Sequence, residues 1–177
     1  MVLRAVSVRP LGPVTEQLLG EVQRSNTQPH FEALVCDGDL VARACGRLPG
    51  FGIDQLNRVM LKAAFLGIRL ARLFDIERHA NAELSRMLQD LATEREAAGR
   101  PVWPDTSYLV GRAPVGGSVA RLLGELEHGD DARRLAGIDG LKHLRRADLA
   151  PFLRDRLARE PKPQIRAALQ EAIASLG

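Results

Sequence analysis

Several things are scarce in this chain of 177 residues. Aromatic residues are five Phe, one Tyr and one Trp, and strand formers are few beside Leu, Ala, Arg and Glu. That balance disfavours a sheet and points to an all-α chain. There are only two cysteines, Cys36 and Cys45, nine residues apart and outside any CxxC pair. A disulfide scaffold is excluded, and free thiols in a reducing compartment are the expectation. No run approaches the roughly 18 apolar residues of a membrane span. The first ten residues lack the apolar core of a signal peptide, so a cytoplasmic location is expected. The sequence contains no HExxH, GxSxG, Walker A or GxGxxG motif, and the glycines from Gly111 to Gly117 precede a helix with no strand before it. His30, His79, His128 and His143 are not spaced to put two ligands on one helix face, so no metal and no cofactor is expected.

The charge is equally unspecific. A net charge of +3 and a sequence pI of about 9.3 are mildly basic. Of the 25 basic residues only Lys62, Lys142 and Lys162 are lysines, which reads as the codon usage of a GC-rich bacterium. The arginines are interleaved with acids, whereas a nucleic-acid binder gathers them on one face. No nucleic-acid partner is expected.

What the chain does have is helical periodicity. Pro13 suits a first helical position, and Val14, Leu18, Leu19 and Val22 predict a helix to about Arg24, after an irregular arm over residues 1–12. A short helix follows with Phe31, Leu34 and Val35 inward, stopped by Asp37-Gly38-Asp39, and Leu40, Val41 and Ala44 start another short turn. A first central helix is expected from Asp54 as N-cap to Gly67 as C-cap, apolar over most of its circumference and therefore buried. A second runs from the N-cap Asn81 to Ala98, with Gly99 and Pro101 as its stop. Beyond a Gly116-Gly117 hinge the pattern predicts helices over Val119–Glu127, Asp131–Leu144, Leu149–Arg159 and Pro163–Leu176.

The last four helices carry a repeat. An offset of 32 residues superposes Arg134 on Arg166, Ala136 on Ala168, Asp139 on Glu171 and Leu141 on Ile173. Units of this size bury their apolar faces by stacking. The expected architecture is an α-solenoid-like stack of antiparallel helix pairs, with residues 1–115 as one helical region and 116–177 as a HEAT-like tail, packed as one continuous domain.

Two constellations could carry chemistry. Glu83, Arg86, Asp90 and Glu94 lie on one side of the second central helix. They could serve acid/base work or hold a ligand, or they could be intrahelical ion pairs at i+3 and i+4. Asn57 and Lys62 on the first central helix imply a polar network or an open cavity, since burying an amide or ammonium costs energy without partners. Arg58, Lys62 and Phe65 form either a small basic face for an anion or a solvent side along which Lys62 snorkels.

Three blocks carry a family resemblance: Ser25-Asn-Thr-Gln-Pro-His-Phe-Glu-Ala33, Asn57-Arg-Val-Met-Leu-Lys-Ala-Ala-Phe-Leu-Gly67, and Glu77-Arg-His-Ala-Asn-Ala-Glu-Leu-Ser-Arg-Met-Leu-Gln-Asp90 continued by Glu94-Arg-Glu-Ala-Ala-Gly-Arg-Pro-Val102. Together they resemble the EboA family of bacteria and some algal plastids, over roughly residues 24–105. The chain departs from the family at Arg58, where Gln is common, and lacks the Asn-Pro-Tyr-Pro-like element within Asp37–Leu48. Against the family it also reads as short at its N-terminus, the expectation being a reduced variant or one completed by a partner.

The resemblance implies a place in secondary-metabolite biosynthesis or export, with partners among the proteins of one gene cluster or a small-molecule metabolite. A homodimer is a further expectation. By matching residue it marks Asn26, Thr27, Glu32, Asn57, Lys62, Asn81, Glu83, Arg86, Asp90, Glu94, Arg95 and Arg100. Two functions follow as expectations: a non-catalytic adaptor or small-ligand binder, or an enzyme using Asp90 or Glu94 as acid/base and Lys62 or Arg86 to hold an anionic substrate.

Overall fold

In the computed structural model, residues 10–25 and 27–176 are described, and they contain helices, turns and loops with no strand among them. The all-α expectation therefore holds. The expected arm over residues 1–9 and the candidate ligand residue Asn26 lie outside the described residues. Among the described residues ten α-helices follow one another: α1 Pro13–Arg24, α2 Gln28–Val35, α3 Leu40–Ala44, α4 Ile53–Leu66, α5 Ala82–Ala97, α6 Thr106–Arg112, α7 Ser118–Glu125, α8 Asp131–Leu144, α9 Ala150–Arg159 and α10 Pro163–Leu176. None is long and apolar enough to cross a membrane.

The chain forms two compact units, residues 1–79 and 80–177. The two central helices read from the sequence fall one in each, α4 in the first and α5 in the second. The 115/116 position lies between α6 and α7, inside the second unit.

In the first unit α1 packs on α2 and α4, and α2 on α3. Leu19, Phe31, Leu34, Leu40, Leu56 and Met60 are fully enclosed there. The start of α4 differs from expectation: Gly52 is the N-cap, and the Gln55 side chain accepts from the Gly52 N–H at 3.1 Å. Asp54 sits in the first turn instead, where its charge favours the helix dipole. The other end is as expected. Gly67 takes a left-handed φ of 71°, and Ile68 N–H donates to the Ala63 carbonyl at 2.9 Å. α4 is not apolar all round in its surroundings, because Phe65 is 62% exposed and Arg58 also faces solvent.

Lys62 reaches along that side. Its Nζ donates to the carbonyls of Val22 at 3.0 Å and Gln23 at 2.9 Å and to that of Ser25, and lies 5.4 Å from the Phe31 ring centre. The last carbonyls of a helix have no amide of their own helix to accept from. Lys62 supplies donors to the end of α1 and so fixes α4 against it. Burial pulls its ammonium below the ordinary lysine value.

In the second unit α8 packs against α6, α7 and α10, and α9 against α10. Val110, Leu122, Leu126, Ile138, Leu141, Leu153, Ile165 and Leu169 form its core. Glycine sets the α6–α8 spacing: a Cβ on Gly111 would stand 2.2 Å from Gly140 Cα, and one on Gly140 2.7 Å from the Ser107 carbonyl. Neither neighbour is a side chain that could turn aside.

Arg134 and Arg166, 32 residues apart, make similar bonds to backbone carbonyls. Arg134 of α8 donates to the His128 carbonyl at 2.6 Å, and Arg166 of α10 donates to the Glu160 carbonyl at 3.0 Å, each six residues back. Arg166 also reaches Leu157 O at 2.9 Å, and Arg156 of α9 reaches Leu126 O at 2.7 Å. The Glu160 carboxylate, fully enclosed, accepts from Arg156 Nη2 at 2.5 Å and from Lys162 N–H at 2.9 Å, with Arg134 Nε 3.5 Å away.

Two outcomes are expected. Gly111→Ala should force α6 from α8 and lower stability by about 2–3 kcal/mol in urea unfolding monitored by circular dichroism. Lys62→Met keeps the apolar stem but leaves three carbonyls at the end of α1 without this donor. It should cost about 1–2 kcal/mol by the same measurement, and faster amide exchange in α1 should accompany the loss.

Candidate functional site

A cleft of about 670 Å³ opens in the second unit. Its floor comes from α5. Leu84, Ser85, Leu88 and Ala92 are the buried face of that helix. At 3.6 residues per turn, Gln89, Thr93 and Glu96 fall within roughly 60° of one another beside that face. They meet Gly116 and Gly117 of the α6–α7 connection, Arg121, Gly124 and Glu125 of α7, His128 of the α7–α8 connection and Arg133 in the first turn of α8. The wall at Gly116 and Gly124 is open, since a Cβ on either would touch nothing within 4 Å.

Two guanidinium groups dominate the cleft, and both are largely enclosed. Arg133 is held by Glu125, whose side chain is only 6% exposed: Arg133 Nε donates to Glu125 Oε2 at 2.7 Å and Nη2 to Oε1 at 2.5 Å. Its Nη1 lies 3.1 Å from His128 Nε2. Hydrogen bonding to Glu125 raises the Arg133 pKa against the opposing effect of burial. Arg121 is steadied by Thr93, to whose Oγ1 its Nη2 donates at 2.9 Å.

Between the two lies Glu96. It accepts from Arg121 Nη1 at 3.1 Å and Nη2 at 3.2 Å, and from Arg133 Nη2 at 3.2 Å. These contacts are long for a charge-assisted pair, and the Glu96 side chain is 42% exposed. Burial pushes its carboxyl up, but hydrogen bonds and charge from Arg121 and Arg133 outweigh that and hold it below the ordinary value. The cleft therefore offers a carboxylate-shaped position between two positioned arginines.

The residues marked from the sequence fall in different surroundings. In the first unit, Asn57 is buried on α4 and Lys62 engages three carbonyls, as many as an ammonium has protons. Glu32 accepts from Gln28 at 2.7 Å and Arg72 at 2.9 Å, and these bonds lower its pKa. Beside it the Cys36 thiol is pushed up to about 11 by burial. In the second unit, Asn81 caps α5 by accepting from Leu84 N–H at 2.9 Å. Arg86 is ion-paired with Glu83 at 2.6 Å and Asp90 at 2.7 Å, all three side chains more than half exposed, and Glu94 is exposed. Arg95 donates to the Pro101 carbonyl at 3.1 Å. Of the marked residues, Asp90 lines the cleft.

Sequence reasoning missed Glu96, Arg121, Glu125 and Arg133. The available signal was the polar flank Gln89–Thr93–Glu96 on α5, directly beside the apolar stripe, where solvent-side residues are not required. Two further hollows lie along α1, beside Glu16 and Arg24 and beside Leu18 and His30, with no buried charged side chain in their walls. Among the described residues no group of His, Cys, Asp and Glu is placed to hold a metal ion.

No curated protein and no solved structure matches the chain. A family model described as metabolite traffic protein EboA matches residues 20–111, just over half of the chain. That span includes all of α2 to α5, with Asn57, Lys62, Asn81, Asp90 and Glu96, and ends within α6, before Arg121 and Arg133. The chain belongs to the EboA family.

Proposed function

We propose that this protein is a non-catalytic helical-repeat protein that binds a small polar metabolite, serving as carrier or adaptor in a bacterial secondary-metabolite pathway. The observation that carries the reading is the cleft itself: a space of about 670 Å³, of the size that takes small molecules, walled by charged groups fixed in advance. Glu125 and Thr93 hold the two arginines, so a ligand would not have to order them on binding. Membership in a metabolite-traffic family supports the same reading. The matching i−6 bonds of Arg134 and Arg166 support a repeated helix pair in residues 116–177. Partners would be proteins of the same pathway, and the working location the cytoplasm.

The enzyme reading rests on one observation, that Asp90 lines the cleft. It draws less support elsewhere. Arg86 is tied to Glu83 and Asp90 in exposed ion pairs, and the Lys62 protons are directed at backbone carbonyls.

Purification of the full chain from its native host, followed by native mass spectrometry, separates these readings. A retained small molecule whose mass is unchanged after prolonged incubation is the expected result. A molecule converted on incubation would favour the enzyme, and a chain that emerges with neither metabolite nor partner protein would contradict the proposal.

A further inference from the structure

A carboxylate of the chain itself, Glu96, occupies the position between the two arginines of the cleft. Arg121 and Arg133 are each positioned by another group, Thr93 and Glu125, and Glu96 adds three longer contacts from a side chain that is nearly half exposed. Removing Glu96 would leave Arg133 on the enclosed Glu125 and Arg121 on its bond to Thr93. With Asp90 on the same wall already paired to Arg86, two positive charges against the single charge of Glu125 would then remain, an excess of one. The position between them suits a planar group that accepts from two guanidiniums at once.

We infer that Glu96 is an internal stand-in for the carboxylate of a small hydroxylated or amino monocarboxylic acid, which binds between Arg121 and Arg133 by displacing it. This rests on the metabolite-binding reading above and names the ligand class for that cleft. A monocarboxylate restores the charge balance that Glu96 provides. A phosphate dianion would overshoot it. Asp90 lies six residues, about 9 Å, back along α5 from Glu96. It offers a carboxylate acceptor to hydroxyl or amino groups on the far end of the ligand. The glycine wall leaves the room: Gly116 and Gly124 have no neighbour where a side chain would project.

Displacement makes the affinity conditional. While Glu96 holds the arginines, the apparent affinity is reduced by the fraction of time the position is vacant. If that fraction is about one tenth, Glu96→Ala should bind acid about tenfold more tightly than the wild-type chain.

The test is calorimetric titration of the full chain with gluconate, with sorbitol as the analogue lacking the acid, and with inorganic phosphate. Gluconate is expected to bind wild type, to bind Glu96→Ala about tenfold more tightly, and to bind Glu96→Gln with a gain between the two. Arg121→Gln and Gly124→Leu should abolish binding, the second by filling the cleft from a position with open space around it. Circular dichroism confirms that each variant is folded, and the two Glu96 variants test the displacement independently of the other pair.

Equal binding of gluconate by wild type and both Glu96 variants would overturn the inference. So would sorbitol binding as well as gluconate, phosphate binding more tightly than gluconate, or no gluconate binding to Glu96→Ala. A metabolite retained from the native host that lacks an acid group would overturn the ligand class while leaving the binding reading in place.

Discussion

A helix ends with carbonyl oxygens that no amide of its own can reach, and in this protein cations from other helices reach them. Lys62 of α4 closes the end of α1. Arg134 of α8 and Arg156 of α9 donate to carbonyls of the segment that follows α7, and Arg166 of α10 to those at the end of α9. Each bond does two things. It satisfies an oxygen that would otherwise be poorly solvated, and it fixes the approach of one helix to another. A cation at a helix C-terminus is also favoured by the helix dipole. With few aromatic residues available for large contacts, these bonds and the glycine contact between α6 and α8 do much of the orienting within each unit.

Against that background Arg121 and Arg133 differ from the other buried cations. Their partners are side chains: Glu125, Thr93, His128 and Glu96. A backbone carbonyl cannot leave, but an exposed carboxylate can. Glu125 is enclosed and fixed, so the exchangeable member of the set is Glu96. Asp131 on Arg134 is as exposed as Glu96, but in the cleft the exposed carboxylate lies between two guanidiniums rather than beside one. That is why a binding role is a better account of it than a purely structural one.

Much of the fold was legible in the sequence for local reasons. Pro13 and Pro163 set helix starts, Gly67 and Gly99 helix ends, and the bounds of α1, α8 and α10 follow the periodicity to the residue. The ion pairs of Arg86 were one of two readings offered by their i+3 and i+4 spacing. The cap of α4 differs because Asp54 is the better cap by residue type, whereas Gln55 folds back on Gly52 and moves the cap by two residues. The repeat put Arg134 on Arg166, but nothing local said that both would clamp carbonyls six residues back. The cleft was hidden for a plainer reason. Its contacts join Glu96 to Arg121 and Arg133, 25 and 37 residues away, and no spacing rule along one helix encodes that meeting.

The central claim is that the two arginines are fixed by the protein while the carboxylate between them is replaceable. Nitrogen-15 NMR of the arginine Nε–H groups together with carbon-13 NMR of the glutamate carboxyls, during a gluconate titration, tests it most directly. Arg133 Nε–H, bonded to Glu125, should keep its shift and slow exchange throughout, while the Glu96 side-chain carboxyl carbon moves with ligand concentration. Shifts confined to exposed arginines such as Arg86 and Arg159, with Glu96 unmoved, would contradict the account.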